Sequence, residues 1–472
     1  MDAESFRRHG HQFIDWLADY FEQVGQYPVR SAVKPGEVIS GLPGSPPRSA
    51  EPMDAIFRDF EEKIMPGMSH WQHPGWFAYF PANNSPASVL AELLTAGLGA
   101  QCMIWQTSPA AAELEERMMQ WLGQMLGLPP DFQGVIQDTA STATLCALLT
   151  AREVATGYAA NDEGIREKLA VYVSAETHSS IEKGVKIAGF GRNNIRVVPT
   201  GADYAMLPDA LQQAMEKDVS DGYTPACVVA TLGTTSSMAM DPVGQLAGIC
   251  RKFNAWLHVD AAFAGTAAIV PELRGFMEGV EKADSFVFNP HKWMLTNFDC
   301  SAYFVRDAGL LKKTFEIQPE YLRTAADNEV KNYRDWGIQL GRRFRALKLW
   351  FVIRTYGVEG LQAMVRKHVA LAGEFAGWLK DDGRFELMAP VNLSLVCFRF
   401  NPGGMAEESL DAMNREMLEK VNESGKVFMT HTSLGGKYTL RLSVGQRNTE
   451  RAHLETAWEL ISSFVHSVQG PA

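Results

Sequence analysis

The chain has little of what marks a metal centre, an exported scaffold or a nucleic-acid surface. Its 6 cysteines, Cys102, Cys146, Cys227, Cys250, Cys300 and Cys397, are irregularly spaced with no CxxC pair. That spacing fits neither a zinc site nor a disulfide framework, so they read as reduced core residues of a cytoplasmic protein. No run reaches the ~20 uninterrupted apolar residues a membrane span needs. The opening stretch MDAESFRRHGHQFIDWLADYFEQV is broken by Arg7, Arg8, Asp15, Asp19 and Glu22, unlike the apolar core of a signal peptide. Cationic excess is also missing: 44 Lys and Arg against 55 Asp and Glu leave a net charge of -11. Nucleic-acid binding depends on clustered Lys and Arg, so neither nucleic acid nor membrane is an expected partner, and a small molecule is. The lysine of a GxxxxGK[ST] loop, the HExxH of a zinc hydrolase and the third glycine of a dinucleotide loop (GFGRNN has two) are all absent, and no metal is expected.

What remains is ordinary globular material, 46% hydrophobic and 21% charged over 472 residues, a length that suggests two or three domains. Phe6, Phe13, Ile14, Leu17, Tyr20 and Phe21 fall three and four apart and form one apolar stripe on an amino-terminal helix. Residues 33–54, rich in Gly, Pro and Ser, read as an extended connector, which makes that helix an arm reaching another surface, plausible as a second subunit. From Val135 onward β-rich runs alternate with helical patterns: GVIQ, LAVYVSA, IRVVPT, ACVVATLGTTSS, WLHVDAA and SFVFN. Strands fed by helical crossovers predict a mostly parallel sheet covered on both faces, with ligand groups at the carboxyl ends of its strands. After about residue 365 FELMAP, SLVCFRF and YTLRLSVG begin a smaller α+β unit. The expected division is 1–75, an amino-terminal helical dimerisation segment; 76–365, a large cofactor-binding domain; and 366–472, a small carboxyl-terminal domain.

Chemistry concentrates at those strand ends. In SFVFNPHKWML a β-run breaks at Asn289 and Pro290, and Lys292 follows. Most lysines in loops simply reach into water. One beside a buried strand end can lose its proton by desolvation and act as a nucleophile that forms a Schiff base. In AWLHVDAAFAG the strand leads into Asp260 and then into small residues that admit something flat. A buried carboxylate needs a partner, and a cationic ring nitrogen is a suitable one. GVIQDTASTATLCALL ends a strand, places Thr139, Ser141 and Thr142, and opens a helix, so free N–H groups and the positive helix end converge on an anion. Lysine, carboxylate and phosphate cradle together suggest pyridoxal 5'-phosphate.

HPGWFAYFP, VSAETHSSIEKG, ATLGTTSS, WLHVDAAFAG, NPHKW and YRDWGIQLGRRFRALKLWF, in this order and over almost the whole chain, resemble the aromatic-L-amino-acid decarboxylase family, the group II pyridoxal-phosphate-dependent decarboxylases. The resemblance implies an α/β enzyme of fold type I, in the aspartate aminotransferase superfamily, and an intertwined homodimer with active sites at the interface. Lys292 matches the Schiff-base lysine and Asp260 the partner of the pyridine nitrogen. Ala140, Ser141, Asn289 and His291 fall where the family holds the phosphate, Thr235 falls beside the ring, and His178 matches the histidine stacked on it. Tyr321, in the polar stretch IQPEYLRTAADNEVKNYRDW, falls on a loop expected to be mobile, whose tyrosine returns a proton to the substrate carbon.

HWQHPGWFAYFP supplies Trp71, Tyr79, Phe80 and Pro81, and QCMIWQTSPA supplies Met103, which the resemblance brings in from the other subunit. Such an apolar, aromatic pocket suits an aromatic side chain, and these two stretches offer no Arg or Lys for an acidic one. The animal enzymes have Ile, Phe and Thr where this chain has Gln101, Met103 and Ala82, and a flexible Met103 accommodates a ring as large as indole. The expected reaction is decarboxylation of tryptophan, phenylalanine, tyrosine, dopa or 5-hydroxytryptophan to the arylalkylamine and carbon dioxide. The alternative is an aldehyde synthase or aminotransferase on the same scaffold. Family members that make aldehydes commonly replace one of His178 and Tyr321, and both stand here.

Overall fold

The computed structural model describes residues 1–317 and 329–469. Seven strands form the larger sheet: β1 (Gln133–Gln137), β2 (Leu169–Ser174), β3 (Ile195–Val198), β4 (Thr224–Thr231), β5 (Trp256–Asp260), β6 (Ser285–Phe288) and β7 (Ser301–Val305), in the order β1-β7-β6-β5-β4-β2-β3. All residues of β2, β5, β6 and β7 are buried, which explains why these strands read as near-continuous apolar runs rather than alternating ones. Pairing is parallel from β6 through β5, β4 and β2 to β3, whereas β7 is antiparallel to both β6 and β1. The sheet is therefore mixed but mostly parallel. Sequence patterning does not disclose β7, and its direction has a simple cause. The link from β6 holds only the 4-residue helix Pro290–Trp293 and a loop, without the longer helix that usually makes a parallel crossover.

A second sheet, all antiparallel, follows the long helix Arg345–Asp382 and has the order β10-β11-β9-β8, with β8 at Phe385–Leu387, β9 at Leu395–Phe400, β10 at Thr430–Leu434 and β11 at Lys437–Ser443. Strand β10 also escapes sequence reading, since THTSL carries one aliphatic residue. The hairpin signal behind it is Gly435–Gly436, both at positive φ (57° and 78°), as a two-residue turn between twisted strands requires.

The amino-terminal helix, Ala3–Gln23, is capped by Asp2, whose carboxylate accepts from Ser5 N at 2.8 Å. Its stripe lies on the chain's own helix at Met53–Asp59 and the turn after it: Phe13 stacks on Phe57 at 4.7 Å, and Trp16 meets Phe60 edge-on at 5.2 Å. Phe6 stays 66% exposed. The connector over 33–54 holds one short helix, Glu37–Gly41. All six cysteines are free and buried, and among the described residues no helix is long and apolar enough to cross a membrane.

Candidate active site

The carboxyl ends of β1, β2, β4, β5 and β6 open on one cavity of about 240 Å³. Lys292 reaches it from the short helix after β6. Pro290 sits at the first helical position, where its missing N–H and fixed φ suit a helix start. Asn289 N donates to Ala262 O at 2.9 Å and Lys292 N to Asn289 O at 2.9 Å, which pins this turn to the segment after β5. Desolvation pushes the Lys292 amine below the usual lysine range, while the Asp260 charge opposes that shift. Asp260 ends β5 at 5% exposure, and its Oδ1 accepts from Ala262 N at 3.0 Å. β5 pairs with β4 and β6 on either side, so Asp260 is held between Thr231 and Val287.

His178 follows β2. Ser180 N donates to its Nδ1 at 3.2 Å, and the Ser180 hydroxyl lies 2.8 Å from the same nitrogen. Nδ1 is thus an acceptor, and the proton of the neutral ring resides on Nε2. Desolvation lowers the His178 pKa, with Asp260 raising it and Lys292 lowering it further, so the neutral ring prevails at pH 7. His291 is fixed the same way. Cys300 N donates to its Nδ1 at 2.9 Å, and desolvation, reinforced by Lys292, pushes its pKa down to about 3, which leaves Nε2–H as an uncharged donor.

At the end of β1 the helix Ala140–Ala155 begins, capped by Thr139, whose hydroxyl accepts from Thr142 N at 3.4 Å. The first N–H groups of a helix have no partner within it, and Ala140 and Ser141 supply theirs at the cavity wall. Asn289, whose Oδ1 accepts from Ser301 Oγ at 2.5 Å, and Thr235 complete this side. Thr231 also lines the cavity, and its Oγ1 is a buried hydroxyl without a partner among the described residues. An anion cradle, a buried carboxylate and a depressed amine facing one enclosed space are the donor set that pyridoxal phosphate needs.

The family profile for the pyridoxal-dependent decarboxylase conserved domain matches residues 35–401. The chain belongs to this family. Within it, the chain is 45% identical to tryptophan decarboxylase 2 of Oryza sativa subsp. japonica, over 100% of its own length and 96% of the relative's. Phenylacetaldehyde synthase of Arabidopsis thaliana is 44% identical, with 98% of this chain and 96% of the relative covered. The crystal structure of Oryza sativa TDC with PLP and tryptamine superimposes with a TM-score of 0.97 at 41% identity, covering 100% and 99% of the two chains. The architecture of this pyridoxal-dependent decarboxylase is accordingly fold type I, as the motifs implied.

Of the residues singled out from sequence, Lys292, Asp260, His178, Ala140, Ser141, Thr235, Asn289, His291 and Phe80 all line the one cavity. Trp71, Tyr79, Pro81 and Met103 are not part of its wall within a single chain. Trp71 stacks on Trp76 at 4.3 Å and on Tyr79 at 6.0 Å, and Tyr79 is 51% exposed. Pro81 is buried against Gly445, and the Met103 carbonyl accepts from Arg334 N at 2.9 Å. Tyr321 lies outside the described residues.

Three contributors were not legible. Phe263 lines the cavity and sits in a stack of rings, 4.1 Å from Phe80 and 4.5 Å from Trp293. Asn83 touches the Lys292 backbone. Arg441 on β11 is buried, with its guanidinium carbon 5.5 Å from the Phe80 ring centre and its Nε and one Nη without partners among the described residues. The one available signal was an arginine inside the apolar run YTLRLSVG.

Proposed function

We propose that this chain decarboxylates an aromatic L-amino acid, with pyridoxal phosphate seated in the cavity described above. The observation that carries this reading is the convergence of Lys292, Asp260 and the helix start at Ala140 on one space. Bound pyridoxal phosphate supplies the electron sink for the bond to the departing carboxylate. Lys292, whose amine desolvation pushes below the usual lysine range, would be the nucleophile that holds the cofactor's aldehyde carbon. Asp260 would favour the protonated form of the ring nitrogen, Ala140, Ser141, Asn289 and His291 would hold the phosphate, and Thr235 would contact the ring. His178 would stack on the ring, leaving its Nε2–H available to the substrate. Arg441 is the candidate to hold the substrate carboxylate before it leaves, because a buried guanidinium with free donors is costly unless something anionic meets it.

The aromatic side of the pocket is Phe80, completed by Trp71, Tyr79 and Pro81 and by Met103 from a second copy of the chain. This makes the active unit a homodimer, with 1–75 as its dimerisation segment, 76–365 binding the cofactor and 366–472 as a small carboxyl-terminal α+β domain. In support, the helix Pro86–Leu98 leaves Leu90, Leu93, Leu94 and Leu98 46%, 52%, 50% and 67% exposed, an apolar face that a monomer would not normally show to water. Replacing Leu94 and Leu98 together with glutamate should shift the protein toward monomer in sedimentation equilibrium and lower activity in parallel. An unchanged dimer would remove this face from the interface. Six unpaired cysteines suit a reducing compartment, and we place the enzyme in the cytoplasm.

Incubation with tryptophan, phenylalanine, tyrosine, dopa and 5-hydroxytryptophan should release carbon dioxide and the matching amine in equal amounts. The aldehyde synthase among the relatives gives a second reading, which predicts that carbon dioxide is accompanied by aldehyde, ammonia and hydrogen peroxide, formed with consumption of dioxygen, in place of the amine. Tyr321 decides between them in our account, by returning a proton to the substrate carbon. Tyr321→Phe should suppress amine and release carbonyl product. An unchanged amine yield from that variant would remove the role assigned to Tyr321.

A further inference from the structure

Asn83 lies outside the cavity, is 1% exposed, and uses its whole carboxamide on backbone groups from two distant parts of the chain. Its Nδ2 donates to Lys292 O at 2.7 Å and to Gly445 O at 2.7 Å, and its Oδ1 accepts from Arg447 N at 3.0 Å. Two carbonyls on one side and an N–H on the other dictate which way the amide points. The partners matter because of where they are. Lys292 belongs to a 4-residue helix, too short to satisfy its own last carbonyls, so Asn83 caps the very peptide that carries the amine. Gly445 and Arg447 leave the second sheet just after β11.

The grip extends along the neighbouring residues. Ser85 Oγ donates to Leu295 O at 2.8 Å, and Asn297 N donates to Ser88 Oγ at 3.3 Å, so residues 83–88 hold the loop after Lys292 at three successive points. Leu295 between them has φ of 53°, a left-handed conformation that a branched side chain adopts only when its surroundings impose it. At Gly445 the fit is so close that a Cβ would come within 2.7 Å of Pro81 Cγ.

We propose that Asn83 is a positioning residue, which fixes the Lys292 backbone against the exit of the second sheet and so sets where the amine stands in the cavity. Any shift of the second sheet is passed through Gly445, Arg447 and Asn83 to the peptide of Lys292. This rests on the reading of Lys292 as the cofactor-binding amine.

The test compares full-length, cofactor-loaded wild type with Asn83→Ala, Asn83→Asp and Gln72→Ala. Gln72 ties the same segment to Gln446, at 2.9 Å, without touching Lys292, and so reports structural loosening alone. For both Asn83 variants the midpoint of the pH titration of the bound cofactor's visible absorbance should move by more than about half a pH unit, because the setting of the amine has changed. Their kcat should fall about tenfold to a hundredfold with KM changed less than about twofold. Gln72→Ala should lower Tm yet keep the wild-type titration and kcat. The isosteric aspartate retains the acceptor for Arg447 N and loses the donors, so it decides the matter should the alanine variant fail to fold. Wild-type titrations in the Asn83 variants, or the same shift in Gln72→Ala, would overturn the proposal. Borohydride labelling of the wild type at Lys292 separates that failure from failure of the site reading itself.

Discussion

Lys292→Met should leave a folded protein that has lost the visible absorbance of a covalently held cofactor and turns over its best aromatic amino acid at least about 10³-fold more slowly. Methionine matches the lysine stem in length and flexibility and takes no charge into a site that already disfavours one, so the turn between β6 and β7 has no reason to rearrange. The backbone bonds that build it, from Asn289 N, Lys292 N and Asn83 Nδ2, involve no side-chain atom of residue 292. Loss of activity with retained circular dichroism and retained absorbance would instead mean that another amine holds the cofactor.

Asp260→Asn is the second large effect. The amide keeps the shape of the carboxylate and can still accept from Ala262 N through Oδ1, now at 3.0 Å, so the end of β5 should survive. What disappears is the negative charge that favours a protonated ring nitrogen. A loss of about 3 kcal/mol in transition-state stabilisation corresponds to roughly a hundredfold in rate, since each 1.4 kcal/mol is tenfold. Steady-state kinetics should show this fall in kcat with cofactor binding still detectable by absorbance. A variant within threefold of wild type would mean that Asp260 does not face the ring.

These two residues were legible in the sequence for the same reason that they are well placed. Central parallel strands are buried on both faces, so WLHVD and SFVF read as unbroken apolar runs, and a charged residue at or just beyond such an end stands out. The start of the helix at Ala140 was legible through Thr139, whose capping bond is local. Asn83 and Arg441 were not, because their meaning depends on partners 209 residues away in one case and on the approach of β11 to Phe80 in the other. Strand β7 was hidden by its short return from β6, and β10 by a strand with few apolar residues. The residues at 71, 79, 81 and 103 were legible as an aromatic or apolar cluster, but within one chain they lie off the cavity wall.

Reduction of the holoenzyme with borohydride, followed by proteolysis and mass mapping, tests the central claim most directly. The account predicts a single reduced pyridoxyl adduct on the peptide containing NPHKW, at Lys292. An adduct on any other lysine, or none in a protein that is nonetheless active, would contradict it.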